Sequence, residues 1–169
     1  MQSKNSSQTE MNLLQAFAGE SQANRKYLAF AKQAEKEGYP QAARLFRAAA
    51  EAETVHALAH LRALGNIGTT EENLKAALAG ETFEFTEMYP PMIRQAEEEG
   101  HDAARRSFAY ANSVEIQHAL LYQQALDQMG ALKETDYYVC SVCGHTCADG
   151  PPDACPVCGS TAGVFSKTD

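Results

Sequence analysis

Apolar residues recur with helical spacing through the first 130 residues, and this pattern predicts four helical segments. The first runs from about Thr9 to Glu37 and the second from about Gln41 to Leu64. The third runs from Thr69 to about Glu99 and the fourth from Asp102 to Met129. Alternating strand patterns are missing here, and short glycine-containing turns separate the segments. We therefore expect an all-α, up-and-down four-helix bundle.

Local residue choices support these boundaries. Gly38-Tyr39-Pro40 ends the first segment, and Thr69 with Glu72 three residues later predicts a capping box at the start of the third. Pro90-Pro91 falls inside the third segment and must either bend that helix or divide it. We expect a bend, because the amphipathic spacing resumes afterwards; two shorter helices remain the alternative.

The composition changes after residue 130. We expect a helical domain over residues 1–130, a linker over 131–136 and a small domain over 137–169, which contains all five cysteines. A segment this short does not bury enough surface to fold without a metal. The apolar fraction of 44% is sufficient for a core in the helical domain.

Charge and composition exclude several classes of partner. The net charge of −8 argues against nucleic acid and anionic membranes. The sequence has no apolar run of membrane-spanning length, and Met1 to Glu10 lacks the apolar core of a secretion signal. We therefore expect a cytoplasmic protein. Paired Cys-x-x-Cys motifs in such a chain indicate metal binding rather than disulfides.

Acidic residues and histidines lie on helix faces that are otherwise apolar. Glu53 and His56 are three residues apart, as are Glu115 and His118, so each pair lies on one helix face. One such pair is common by chance, but two in matching places, with acids on the other segments, indicate a metal site. Burying these carboxylates costs several kcal/mol unless cations compensate them. Oxygen and imidazole ligands suit iron or manganese.

A weak internal repeat leaves the identity of one ligand undecided. Ala18-Gly19-Glu20-Ser21 resembles Ala79-Gly80-Glu81-Thr82, which aligns Glu81 with Glu20. Glu84 shares the helix face of Glu81, and Glu87 lies one turn beyond Glu84. Spacing alone does not decide between Glu81 and Glu84. We interpret Glu51, His60 and, at this point, Glu81 as solvated or supporting residues.

Two cysteine knuckles predict a second metal site. Cys140 and Cys143 form the first, and Cys155 and Cys158 form the second. Four thiolates make a tetrahedral site for zinc or iron, and their spacing does not choose between the two metals. Cys147 lies outside both knuckles and is predicted to be a free thiol.

These residues together resemble the rubrerythrin family over essentially the whole chain. The resemblance rests on the segments 16–23 and 84–90, the two Glu-x-x-His pairs and the cysteine knuckles. It implies a ferritin-like four-helix bundle with a C-terminal rubredoxin-like domain. It also implies a di-iron centre whose ligands are Glu20, Glu53, His56, Glu84, Glu87, Glu115 and His118, and a tetracysteine iron bound by Cys140, Cys143, Cys155 and Cys158.

The resemblance also assigns roles within the di-iron centre. Glu53 and Glu115 are expected to bridge the irons, Glu20 and Glu84 to be terminal ligands, and His118 to bind the second iron. One iron is expected to exchange His56 for Glu87 on oxidation. On this basis Glu84 is preferred to Glu81.

The activity implied by the resemblance is a non-haem di-iron peroxidase that reduces hydrogen peroxide to water in oxidative-stress defence. Electrons are expected to arrive singly through the tetracysteine iron. Their source is expected to be another protein, a rubredoxin or an NAD(P)H-dependent reductase, because the sequence shows no nicotinamide site. We also expect a head-to-tail homodimer with electron transfer between chains, since the linker leaves the fourth helix at the end away from His118.

Three other functions remain open. A ferritin-like ferroxidase or iron-handling protein would use the same di-iron site but has no use for the cysteine module. A zinc-ribbon binding protein explains the cysteines and leaves the acids on apolar faces unexplained. A manganese catalase-like enzyme needs no electron-transfer module.

Overall fold

The computed structural model describes residues 7–168. Its helical elements are α1 (Gln8–Lys36), α2 (Pro40–Ala63), α3 (Thr70–Phe83), a π-helix (Glu84–Met88), α4 (Tyr89–Glu98) and α5 (Asp102–Asp127). The strands that follow are β1 (Tyr137–Cys140), β2 (Thr146–Ala148) and β3 (Phe165–Lys167), with a 3₁₀ turn at Ala162–Val164. The four predicted helical segments are thus confirmed, the third being a succession of α3, the π-helix and α4.

The first compact unit, Met1–Gly68, consists of α1 packed along α2. Its buried core is made of small residues, Ala31, Ala34 and Ala43, against which Phe46 packs. Small side chains on both helices allow their axes to approach closely. Asn24 is buried in this interface, where its Nδ2 donates hydrogen bonds to the Ala50 carbonyl (2.7 Å) and to the Thr54 hydroxyl (2.9 Å).

The second compact unit, Thr69–Asp169, contains the remaining helices and the strands. The predicted capping box is present, since the Glu72 amide donates to Thr69 Oγ1 and the Thr69 amide donates to Glu72 Oε2. Both α3 and α4 pack against α5, and α5 also contacts β2. The division between the two units falls at Gly68 and Thr69, so it does not follow the domain boundaries expected at 130 and 136, which stay a prediction.

The two prolines do not divide the third segment. The irregular turn lies just before them, where the Tyr89 amide donates to the carbonyl of Glu84, five residues earlier. Pro90 and Pro91 then occupy the first turn of α4, directly after the π turn. The wider π turn changes which residues share a face, and such turns are frequent at functional sites.

The C-terminal residues form a small antiparallel sheet in the order β2-β1-β3. Tyr138 is paired with Cys147 in β2 and with Lys167 in β3. Gly144 and Gly159 each follow a cysteine knuckle with positive φ (+86° and +75°), a conformation that glycine adopts at little cost. Among the described residues, no helix is long and apolar enough to cross a membrane.

Asn24→Ala tests the polar contact between α1 and α2. Losing one buried and one partly buried hydrogen bond should lower the free energy of unfolding by about 1–3 kcal/mol. Asn12→Ala is the matched control, because Asn12 is exposed on the same helix. Denaturant unfolding measures both variants, and equal stabilities would contradict the assigned contact.

Candidate metal centres

A group of two carboxylates and one imidazole lies between α1 and α2. Glu20 projects from α1, and Glu53 and His56 project from α2; one ligand atom of each lies within 4.8 Å of the others. His56 Nδ1 is 2.9 Å from Glu53 Oε2. Glu20 and Glu53 are partly buried, whereas His56 is exposed. We call Glu20, Glu53 and His56 the N-terminal triad.

The second compact unit contains a group with the same composition. Glu81 projects from α3, and Glu115 and His118 project from α5, again with ligand atoms within 4.8 Å of one another. His118 Nδ1 is 2.7 Å from Glu115 Oε2 and 3.7 Å from Glu81 Oε1. All three residues are partly buried. We call them the C-terminal triad.

The electrostatics of the C-terminal triad favour a bound cation. Burial raises the pKa of Glu81, and the nearby charge of Glu115 raises it further. Burial also raises the pKa of Glu84, with an additional contribution from Glu81. Two carboxylates this close to each other disfavour joint ionisation unless a positive charge lies between them. Carboxylate and imidazole donors at these distances fit an iron or manganese ion.

Two phenols lie beside the same acids. Burial raises the pKa of Tyr89, and the charges of Glu84, Glu115 and Glu81 raise it further. Burial and the charges of Glu81 and Glu115 have the same effect on the pKa of Tyr122. Both hydroxyl groups therefore keep their protons and can donate hydrogen bonds near the triad.

The structure brings together most, but not all, of the ligands expected from the sequence. Glu20, Glu53, His56, Glu115 and His118 all belong to a triad. The carboxylate that α3 contributes is Glu81, and Glu84 lies near it without belonging to the triad. Glu87 is exposed. The π turn separates Glu84 from Glu87, because a three-residue step within it no longer keeps two residues on one face.

The internal repeat is the sequence signal that points to Glu81. It aligns Glu81 with Glu20, and these two residues occupy corresponding places in the two triads. The resemblance had placed the ligand at Glu84 instead. Which carboxylates bind metal stays a prediction, and the variants below distinguish Glu81 from Glu87.

Four cysteine sulfurs converge in the C-terminal module. Cys140 Sγ lies 3.7 Å from Cys158 Sγ, and Cys143 Sγ lies 3.5 Å from Cys155 Sγ. A tetrahedral ion with metal–sulfur bonds of about 2.3 Å requires sulfurs about 3.8 Å apart, so the set fits iron or zinc. Cys147 Sγ instead lies 3.4 Å from the Gly150 carbonyl oxygen and is outside the four-sulfur group.

The sulfurs differ in how easily they ionise. Hydrogen bonds from the Ser160 hydroxyl and backbone amide lower the pKa of Cys158 to about 6. Burial raises the pKa of Cys143, and hydrogen bonds among the neighbouring thiols act in the same direction. Metal binding requires all four as thiolates, so it releases protons.

The module packs on α5 of its own chain. His118 Nε2 lies 3.0 Å from Thr146 Oγ1 at the start of β2. Gly144 approaches buried Val114, since a Cβ on that glycine would lie 3.9 Å from Val114 Cγ1. Within the chain the module therefore contacts α5 near His118, although the linker was expected to leave it farther away. The expected head-to-tail dimer with electron transfer between chains stays a prediction.

Comparison with known proteins identifies both parts of the chain. The family model described as Rubrerythrin matches residues 11–126, and the model described as Rubrerythrin, rubredoxin-like domain matches residues 138–166. A rubrerythrin from Porphyromonas gingivalis is 38% identical over 94% of this chain and 89% of its own length. Rubrerythrin-2 from Clostridium acetobutylicum is 35% identical over 87% of this chain and 89% of its own length.

Solved structures show the same relationship. A solved structure of partially reduced nigerythrin is 33% identical to this chain and superposes with a TM-score of 0.59. The match covers 98% of this chain and 90% of the nigerythrin chain. Nigerythrin from Nitratidesulfovibrio vulgaris is 35% identical over 87% of this chain. The predicted fold class, a ferritin-like helical protein with a small C-terminal rubredoxin-like domain, is confirmed. The expected cofactors, a di-iron centre and a tetracysteine iron, are confirmed at the level of the family.

Glu81→Ala and Glu87→Ala form a matched pair on the same helical segment. We expect Glu81→Ala to lose iron from the helical domain, since it removes one of three convergent ligands, and Glu87→Ala to keep it. Iron per chain is measured after anaerobic loading with Fe²⁺, with the absorption of the tetracysteine iron as internal reference. Loss of iron in Glu87→Ala alone would contradict the role given to Glu81.

Proposed function

The chain belongs to the rubrerythrin family, and on that premise we propose that it is a peroxidase that reduces hydrogen peroxide to water. Membership implies a di-iron protein with oxidoreductase activity. The observation that carries the proposal is the presence of two equivalent carboxylate–imidazole triads and a four-cysteine cluster in one chain. The proposed physiological role is defence against oxidative stress.

We assign the ligands of the two irons to the triads. Glu20, Glu53 and His56 contribute from the N-terminal triad, and Glu81, Glu115 and His118 from the C-terminal triad, with Glu84 as a further carboxylate beside Glu81. The bridging role that the resemblance implies for Glu53 and Glu115 stays a prediction. The exchange of His56 for Glu87 on oxidation stays a prediction, and the exposure of Glu87 is an argument against that residue.

Irons held by these residues would supply the electrons that reduce peroxide and the positive charge that stabilises the oxygens. One hydrogen peroxide, two electrons and two protons give two molecules of water. Tyr89 and Tyr122 keep their protons beside the acids, so their hydroxyls can orient an oxygen substrate by hydrogen bonding. The helices hold the carboxylates in fixed positions, so their negative charge can balance bound cations without rearrangement of the protein during the reaction.

The tetracysteine iron is proposed to deliver electrons singly to the helical domain. Its own electrons are proposed to come from a donor protein, a rubredoxin or an NAD(P)H-dependent reductase. The cytoplasmic location and the homodimer stay predictions. The ferritin-like ferroxidase alternative uses the same triads and gives the cysteine site no part in turnover, so an experiment on the cysteines separates the two functions.

Cys155→Ser should uncouple the two parts of the protein. We expect the chemically reduced variant to consume about one peroxide per di-iron site, because that chemistry stays in the helical domain. Steady turnover with a reductase should collapse, since one of four thiolates is lost. Peroxide consumption is followed in both regimes.

Cys147→Ser is the matched control, because this thiol lies outside the four-sulfur group. It should change neither iron content nor turnover. Sustained turnover by Cys155→Ser would show that electrons bypass the module and would favour the ferroxidase alternative.

A further inference from the structure

The connection between α2 and α3 limits the kind of bundle that one chain can close. Six residues, 64–69, join Ala63 at the end of α2 to Thr70 at the start of α3. Even when fully extended, this connection spans only about 25 Å. The 24 residues of α2 extend for about 36 Å at the usual helical rise. The connection is therefore too short to run back along the whole of α2.

A ferritin-like bundle has one long connection, which crosses from one end of the bundle to the other. The other two connections in the helical domain are shorter still, since residues 37–39 join α1 to α2 and residues 99–101 join α4 to α5. From α1 to α5, all of which the structure describes, no connection is long enough for that crossing. An up-and-down bundle would close through such short turns, so it is the alternative that an experiment must exclude.

Each compact unit holds half of a di-iron ligand set. Such a set takes one glutamate from each of two helices and a Glu-x-x-His pair from each of two others. The first unit supplies one glutamate and one pair as the N-terminal triad, and the second unit supplies the other half as the C-terminal triad. A complete centre therefore needs two units to meet.

The charges of the two units indicate which of them meet. Residues 1–68 contain eight lysines and arginines and six acidic residues, a net charge of +2. Residues 69–169 contain six lysines and arginines and sixteen acidic residues, a net charge of −10. Two second units therefore repel each other, whereas a first unit attracts a second unit. Since the short connection prevents one chain from closing a ferritin-like bundle, the two units that attract each other must come from different chains.

Exposed apolar side chains close to both triads provide surface for this contact. Val55 and Leu58 lie on either side of the triad histidine of α2 in sequence, and they are 57% and 43% exposed. Phe83 and Leu120 each lie two residues from a member of the C-terminal triad, and they are 51% and 53% exposed. Burial of these side chains against a partner favours association.

We infer that a second copy of this chain completes each di-iron site through an exchange of helix pairs. The first unit of one chain pairs with the second unit of its partner, so each site takes the N-terminal triad from one chain and the C-terminal triad from the other. Such an exchange is a low-cost route to a closed dimer, and it gives two equivalent sites. The inference rests on the proposed function, because it concerns the di-iron site proposed there. It adds to the expected homodimer that neither chain has a complete site by itself.

Complementation between two variants tests the exchange through iron content. Chains with Glu53→Ala and chains with Glu115→Ala are produced together with different tags, and mixed dimers are isolated through both tags. Under exchange, one site of the mixed dimer carries both changes and the other site carries none. After anaerobic loading with Fe²⁺, we expect mixed dimers to hold about half of the wild-type iron of the helical domain, more than either variant alone. The absorption of the tetracysteine iron is the internal reference.

Wild-type chains combined with chains that carry both Glu53→Ala and Glu115→Ala are the matched control. Under exchange, each site of this mixed dimer carries one change, so its iron content should equal that of the single variants. If each chain instead closes its own site, this dimer keeps one intact site and the dimer of the two single variants keeps none. That reversed pattern would overturn the inference.

A photochemical cross-link detects the exchange without bound iron. A benzophenone analogue of phenylalanine replaces Phe83, and equal amounts of ¹⁵N-labelled and unlabelled chains are unfolded and refolded together. We expect about half of the links between position 83 and residues 8–63 to join a labelled to an unlabelled peptide. The same replacement at Phe30 is the control, since Phe30 packs against Phe46 of its own unit (ring centroids 5.6 Å apart), and its links to α2 should join peptides of the same label.

The two experiments separate failure of the inference from failure of the proposed function. A wild-type protein that holds no iron in the helical domain but gives mixed-label links would refute the proposed function and support the exchange. Links from position 83 that join peptides of the same label only, or an absence of links to residues 8–63, would overturn the exchange even in a protein that reduces peroxide.

Discussion

Carboxylates held close together on the inner faces of helix pairs are the constraint on which the rest of this structure depends. Each triad places two carboxylates and an imidazole within 4.8 Å of one another. In the C-terminal triad, burial and then the neighbouring charge of Glu115 raise the pKa of Glu81, so joint ionisation of these carboxylates is unfavourable without compensating positive charge. A bound cation would compensate these charges, which is why the triads are the proposed site of the chemistry.

The helix α5 carries residues of one candidate metal centre and contacts the module that contains the other. It carries Glu115 and His118 on the face toward α3, and the module that contains the four cysteines packs on it through Thr146 and Gly144. A metal-free cysteine module lacks a core of its own, so binding at the thiolates is coupled to the folding of the segment that contacts His118.

The regular parts of this protein could be predicted from sequence. Helical periodicity predicted the four helical segments, and Thr69 with Glu72 predicted the capping box. The Cys-x-x-Cys spacing predicted the group of four cysteines. The choice among Glu81, Glu84 and Glu87 stays a prediction, and uniform helical spacing does not anticipate the π turn at Glu84–Met88, which changes the faces on which these residues lie. The contact between Thr146 and His118 also could not be predicted, because residues 28 positions apart in sequence meet only through tertiary packing.

Metal content per chain tests the central claim most directly. Elemental analysis of the purified protein, with a visible spectrum of the same sample, counts the ions and identifies the thiolate-bound metal. The account predicts about three irons per chain, two held by the triads and one by the four thiolates, with ferric-thiolate colour. A single metal ion per chain, bound only by the cysteines, would contradict it.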